Sequence, residues 1–302
     1  MLIFFKKITV VLLTVSLVLL IINIVWAQGA RPVASSVSID SGAASVTLTE
    51  GSTKNVVCTA LITDDDGCED ITSVTSVFYR TNLAGGPEAA DDNNDHYSIN
   101  CVVDGGSCTG GGDLTATYTC TFPVYYYADP TDAGDYLATD WTCQVTPSDS
   151  VGEGTADTDT IEMDSLVGLD VDATINYGEL ALGANTGSTN QQTTITNRGN
   201  VQIDITLDGY GSSDGDGKSM TCSISSITIG NEEYGISSFT YGTGTDLTDT
   251  AVELDLDVPQ QTNDATPSTK EVYWGFGMPS TGVGGSCSGT VVFTAVNDIG
   301  QD

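Results

Sequence analysis

The sequence predicts an all-β protein: two tandem β-sandwich domains behind an N-terminal hydrophobic leader helix, divided as residues 1–27, 28–163 and 164–302. Three observations carry that prediction. Beyond the leader, stretches rich in Val, Ile, Thr and Tyr alternate apolar and polar residues, broken by Gly, Asp, Asn and Ser clusters, and none has the period of an amphipathic helix. The 302 residues are enough for two domains of about 100–150 residues each. Eight cysteines fall six before residue 150 and two after it, as two separately stapled domains would divide them.

The leader comes first. Lys6 and Lys7 precede the apolar run Ile8 to Val25, and Val25-Trp26-Ala27 places small residues at the −3 and −1 positions before Gln28. This is the pattern of an export signal cleaved after Ala27. The run is about 18 residues, long enough to span a bilayer, so an uncleaved anchor is the alternative. A retained filament-core helix, as in type IV-like pilins, ranks below both, because no Gly or Ala follows the lysines where such leaders are cut. In each case the rest of the chain is expected outside the cytoplasm, secreted or at the cell surface. Membrane contact is expected only through an uncleaved leader, and no C-terminal anchor is expected.

Composition narrows the partners. Forty-one acidic side chains against 8 basic ones give a formal charge of −33, which excludes nucleic acid and anionic lipid surfaces as expected partners. Both need clustered Lys and Arg to displace counterions. With 39% hydrophobic residues and only 8 prolines, the chain is not a disordered acidic tail. Cys58, Cys68, Cys101, Cys108, Cys120, Cys143, Cys222 and Cys287 include no CxxC pair, and His96 is the single histidine. Zinc needs closely paired ligands, so disulfides in an oxidising compartment are expected.

The strands follow in order. Val56 to Ile62 forms one, ahead of the acidic turn Asp64-Asp65-Asp66-Gly67. Leu114, Ala116, Tyr118, Cys120 and Phe122 share one face of a second; Leu137, Trp141, Cys143 and Val145 share one face of a third. In Val201 to Asp208 the apolar residues are odd-numbered and the polar ones even, and Val252 to Val258 alternates likewise. Asp204, Asp208, Glu253, Asp255 and Asp257 are therefore expected on the solvated faces of antiparallel sheets. Between Ile195 and Ile203 an Arg198-Gly199 turn flanked by Asn197 and Asn200 predicts a tight hairpin.

Trp141-Thr142-Cys143-Gln144-Val145, followed by Asp149, Gly152 and a Thr/Asp-rich strand, resembles the last two strands of an immunoglobulin-like domain. The resemblance implies Cys58 as the partner of Cys143. It departs from antibody domains in two places: Thr72 to Arg80 lacks a tryptophan, and Trp141 stands where a tyrosine is usual. The first domain, with Tyr126-Tyr127-Ala128-Asp129-Pro130, is similar to tandem immunoglobulin-like domains of uncharacterised exported archaeal and bacterial surface proteins. In the second domain, the N-x-G-N pattern and the strand Gly284 to Val296 resemble fibre-forming TasA-like proteins. Cys222 and Cys287 are expected to pair within that domain. Cys101–Cys120 and Cys68–Cys108 are the remaining pairs expected, among several that six cysteines allow.

Candidate sites are few. Asp64, Asp66 and Asp70 concentrate carboxylates beside Gly67, and a structural calcium there is the one cofactor expected. Asp91, Asn93 and Asp95 alternate as EF-hand ligands do, but His96 and Val102 occupy the positions of the required Gly and Glu. Asp214-Gly215-Asp216-Gly217 is followed by Lys218 and reads as a solvated turn. His96, in a polar loop, is expected at the surface. Tyr126, Tyr127, Tyr273 and Trp274 lie in the aromatic clusters and are the candidates for binding a glycan or a partner. No G-x-S-x-G, H-E-x-x-H or Walker motif is present, and no catalytic residue is assigned. The expected function is that of a non-enzymatic extracellular structural or adhesive protein, with other surface proteins or copies of itself as partners. Two alternatives stand beside it: a fibre or pilus subunit assembled by strand exchange, with Gly29 to Thr49 as the donor, and a carbohydrate-binding module.

Overall fold

The computed structural model describes residues 29–110, 112–172 and 174–298; the expected leader, 1–27, lies outside them. Among the described residues no helix is long and apolar enough to cross a membrane.

The first sandwich packs two sheets face to face. One has the order β1 (Val33–Ile39), β3 (Thr53–Thr63), β7 (Thr115–Tyr125), β6 (Val102–Val103). The other has the order β2 (Ser45–Val46), β9 (Asp157–Met163), β8 (Trp141–Ser148), β4 (Ser73–Arg80), β5 (His96–Asn100). Alternation on β7 sends Ala116, Tyr118, Cys120 and Phe122 inward, where they meet the inner faces of β3, β4 and β8. Cys58 and Cys120 lie opposite each other in the β3–β7 ladder, yet each bridges elsewhere. Cys58 crosses to Cys143 on the facing sheet, and Cys120 joins Cys101. Phe78 lies beside Cys143 on β4, its ring 4.8 Å from Trp141 and 5.5 Å from Phe122. It fills the space beside the intersheet bridge for which the third strand lacks a tryptophan.

The second sandwich has a core of its own, around Ile195, Ile203, Ile205, Leu207, Val272 and Trp274. Its larger sheet runs β10 (Leu169–Val171), β11 (Gln191–Asn197), β18 (Thr269–Phe276), β15 (Glu232–Gly235), β16 (Thr245–Asp246). A three-stranded sheet runs β17 (Val252–Val258), β12 (Ile203–Tyr210), β20 (Thr290–Asn297). A third set, β14 (Ser226–Thr228), β13 (Lys218–Ile224), β19 (Gly284–Ser288), carries the Cys222–Cys287 bridge between directly opposed residues. The fold is thus all-β throughout the described residues, with two sandwich cores in tandem.

Four local expectations are corrected. Leu137 caps a short 3-10 turn at Gly134–Tyr136 and is exposed, because β8 starts only at Trp141. Leu114 precedes β7 and is exposed too. The Asn197–Asn200 segment is not a hairpin, since β11 and β12 belong to different sheets and the chain arches from one to the other. Finally, Asp204 is buried, because a register shift between Ile203 and Ile205 breaks the alternation against β17. Its Oδ1 accepts the amide hydrogens of Leu256 and Asp257 at 2.7 and 2.9 Å, holding the bulge at which Asp257 adopts φ 51°.

Candidate functional site

The junction between the sandwiches is built from residues that the sequence reading gave to turns and sugar contacts. Asn197 is fully buried: its Nδ2 donates to the carbonyls of Val201, Val258 and Pro259, and its Oδ1 accepts from Gly199 N. Asn200 reaches the other way. Its Nδ2 donates to Ala128 O and Asp164 O at 3.0 and 3.1 Å, and its Oδ1 accepts from Leu166 N at 2.6 Å. Arg198, between them, pairs with Asp170 at 3.2 Å, while its carbonyl accepts from Gly51 N and its amide donates to Gly168 O.

The tyrosine cluster meets this arch. Tyr126 and Tyr127 follow β7, both are buried, and their hydroxyls donate to Gln261 Oε1 and Asp264 Oδ1 of the second sandwich. Asp264 Oδ2 accepts from Asn93 Nδ2, and Gln260 Nε2 donates to Tyr127 O at 2.7 Å. These tyrosines therefore lock two domains together. Trp274 is fully buried in the second core, 5.9 Å from both the Tyr234 and Phe293 rings, and Tyr273 is half-buried beside it on β18. The four aromatics do not come together as one platform: Trp274 is spent on packing the second core, while the largely buried Tyr126 and Tyr127 line a cleft of about 390 Å³ with Tyr125, Arg198 and Asp264.

Polar groups of the first sandwich also differ from expectation. His96 is buried on β5, with Nδ1 2.9 Å from Asp91 Oδ1 and Nε2 3.2 Å from Pro87 O. Asp91, Asn93 and Asp95 do not converge. They engage His96 and Ser98, Asp264, and Arg80 respectively. Desolvation, together with the neighbouring Asp92 charge, pushes the Asp95 carboxyl up to about 6. Asp216 caps its own turn by accepting from Gly211, Ser212 and Lys218 N, which holds its carboxyl well below the usual range.

Asp64, Asp66 and Asp70 do not gather as a three-carboxylate set. Asp64 is buried, Asp66 accepts from Ala30 N through Oδ2, and Asp70 is exposed. Among the described residues, only Asp204, Asp255 and Asp257 bring three carboxylate oxygens within 4.8 Å of one another. Asp204 there supports the bulge, while Gln202 Nε2 donates to Asp257 and to Asp298. That group thus has a structural role already.

The second sandwich leaves one flank open. β20 is an edge strand paired only with β12, and none of its eight residues is fully buried. Between β20 and β10 lies a cleft of about 500 Å³ lined by Val171, Ile175, Tyr177, Met220, Val291 and Phe293. Glu232 forms part of its lining and is buried; the Tyr177 hydroxyl donates to its Oε1 at 2.7 Å. Desolvation pushes this carboxyl up to about 7, against the lowering effect of the Tyr177 hydrogen bond.

Comparison with known proteins assigns no family. No protein-family model matches the chain. No curated protein matches it either. Among solved structures it is similar to the chaperone–tip adhesion subunit pre-assembly complex from archaic chaperone-usher Csu pili of Acinetobacter baumannii, with TM-score 0.36 and 10% identity over 86% of this chain and 99% of that one. A chaperone–tip adhesin complex of CFA/I fimbriae gives TM-score 0.30 and 8% identity over 89% of this chain and 84% of that one. Likenesses at this level establish neither family nor function.

Proposed function

We propose that this chain is a non-enzymatic structural or adhesive protein of the cell exterior, working as a stiff two-sandwich unit. The observation that carries this reading is the junction: Asn200, Tyr126, Tyr127, Gln260, Gln261 and Asp264 connect the sandwiches through buried and half-buried hydrogen bonds. Four disulfides support an oxidising compartment. Such a unit transmits load and presents loops at fixed spacing, which enzymatic turnover does not require. The test is surface labelling of intact cells, followed by mass spectrometry under non-reducing conditions. Labelled, fully bridged protein is expected; a cytoplasmic pool with free thiols would overturn the reading.

The open flank of the second sandwich favours a second reading, a fibre subunit completed by a neighbour's strand. An eight-residue edge strand beside an apolar cleft is the geometry that strand addition uses. Gly29 to Thr49 is a poor donor, because β1 and β2 already pair within the first sandwich and bury Ile39, Val46 and Leu48. Val291→Glu places a charge in the cleft at a half-buried position. Loss of filaments in electron micrographs, with circular dichroism unchanged, is the expected result, and filaments of normal length would remove strand addition at β20.

A further inference from the structure

We propose that Asp64 and Asp149 form a calcium site at the end of the first sandwich remote from the second. Asp64 follows β3 and Asp149 follows β8, and the two turns are held side by side by the hydrogen bond from Thr72 N to Ser148 O at 2.8 Å. Both carboxylates are buried, at 1% and 9% exposure. Asp64 Oδ1 accepts from Asp66 N at 2.9 Å, whereas its Oδ2 is enclosed without any hydrogen-bond partner. Asp149 Oδ1 accepts from Val151 N and Gly152 N at 2.7 and 2.8 Å, which orients that carboxylate.

Charge balance points to a cation. Desolvation first, and then the negative charges of Asp149, Asp66 and Asp70, push the Asp64 carboxyl upward against the lowering effect of the hydrogen bond from Asp66 N. The ion pairs found among the described residues involve Arg80, His96 and Arg198, and none is at this end of the molecule; the Arg31 guanidinium that lies beside Gly152 donates to the Glu153 carbonyl at 3.2 Å. An enclosed carboxylate oxygen facing like charges is costly unless a counter-charge binds it. The donors are hard oxygens with no imidazole or thiolate among them, which selects Ca²⁺ over zinc or other transition metals. Asp64 Oδ2 supplies the buried anchor, and Asp149 supplies the second carboxylate from the other turn. A bound ion would thereby clamp the β3–β4 turn to the turn after β8, next to Ala30, whose amide is already tied to Asp66.

The experiment is a CaCl2 titration of the full exported chain by calorimetry, with the thermal midpoint followed in parallel. Calcium sites of extracellular modules bind at roughly 0.1–1 mM, so 10 mM CaCl2 should raise the midpoint by roughly 3–10 °C. Asp149→Asn should weaken binding at least tenfold, and Asp64→Asn should abolish it. Asp255→Asn, in the other carboxylate group, should leave it unchanged. Should Asp64→Asn fail to fold, Asp149→Asn alone decides. No calcium-dependent shift in the native chain, or a shift that survives Asp149→Asn, overturns the proposal; so does a shift abolished by Asp255→Asn.

Discussion

Asn200 and Ala128 are joined across the two sandwiches: the Asn200 side-chain amide donates to the Ala128 carbonyl at 3.0 Å, in a fully buried position. The same side chain satisfies Asp164 O and Leu166 N in the connecting segment. Removing it leaves the buried Ala128 carbonyl and two half-buried main-chain groups, Asp164 O and Leu166 N, without this partner, and each buried group left unpaired costs about 1–3 kcal/mol. Asn200→Ala is therefore expected to destabilise the chain by about 2–5 kcal/mol. It should also split one cooperative denaturant transition into two, because the sandwiches would unfold separately. A single unshifted transition followed by tryptophan fluorescence and circular dichroism would contradict this role.

Glu232 makes stability depend on pH in a direction opposite to that of most carboxylates. Its folded pKa, about 7, lies above the ordinary value of 4.5. The folded state therefore binds the proton more tightly, and the stabilising contribution is fully present below pH 4.5 and lost as pH rises through 7. The amount at stake is on the order of 3 kcal/mol. Glu232→Gln keeps an acceptor for the Tyr177 hydroxyl and removes the charge. Urea midpoints of the variant minus those of the native protein should be near zero at pH 4 and clearly positive at pH 8. A flat difference across that range would rule out a titrating Glu232.

Much of the fold was legible because strand alternation reports burial directly. On β7 the even-numbered residues from Ala116 to Val124 are buried, and on β12 Ile203, Ile205 and Leu207 are. Alternation failed where geometry departs from a regular ladder. Asp204 turned inward at a bulge, which no local pattern announces. Asn197 and Asn200 have the composition of a turn, but their side chains serve distant carbonyls such as Val258 and Ala128. Nothing in the sequence pairs Arg80 with Asp129, and only the fold brings them together. Tyr126, Tyr127 and Trp274 are binding candidates in the sequence because an aromatic ring in sequence does not disclose which body it packs against.

The Cys222–Cys287 bridge holds β13 to β19, a pair of strands with few buried residues of their own. The bridge spans a sequence separation of 65, for which the loop-entropy account gives about 4 kcal/mol. The Cys222→Ser, Cys287→Ser double variant is expected to lose about 2–4 kcal/mol and to expose the cleft beside Met220 and Phe293. Increased binding of a hydrophobic dye, with a lowered midpoint of the unfolding transition, is the signature. An unchanged midpoint would mean that these strands are held by their ladders alone.

Arg80 and Asp129 form the buried ion pair of the first sandwich, with Arg80 Nε 2.8 Å from Asp129 Oδ2 and both side chains nearly out of solvent. The pair is embedded: Asn94 Nδ2 and Gln260 Nε2 also donate to Asp129 Oδ1, and the Arg80 guanidinium lies 3.8 Å from the centre of the Tyr136 ring. Gln260 belongs to the second sandwich, so the pair also supports the junction. Arg80→Met leaves Asp129 charged and buried without its cation, which should cost about 3–5 kcal/mol. Asp129→Asn leaves the guanidinium unpaired against Asp95 alone, 3.6 Å from Arg80 Nη2, and should cost somewhat less. In the double variant neither charge remains to be stranded, so its cost should fall well short of the sum of the two. A double-mutant cycle in guanidinium chloride measures the coupling directly, and strictly additive losses would show that the two side chains act on stability independently.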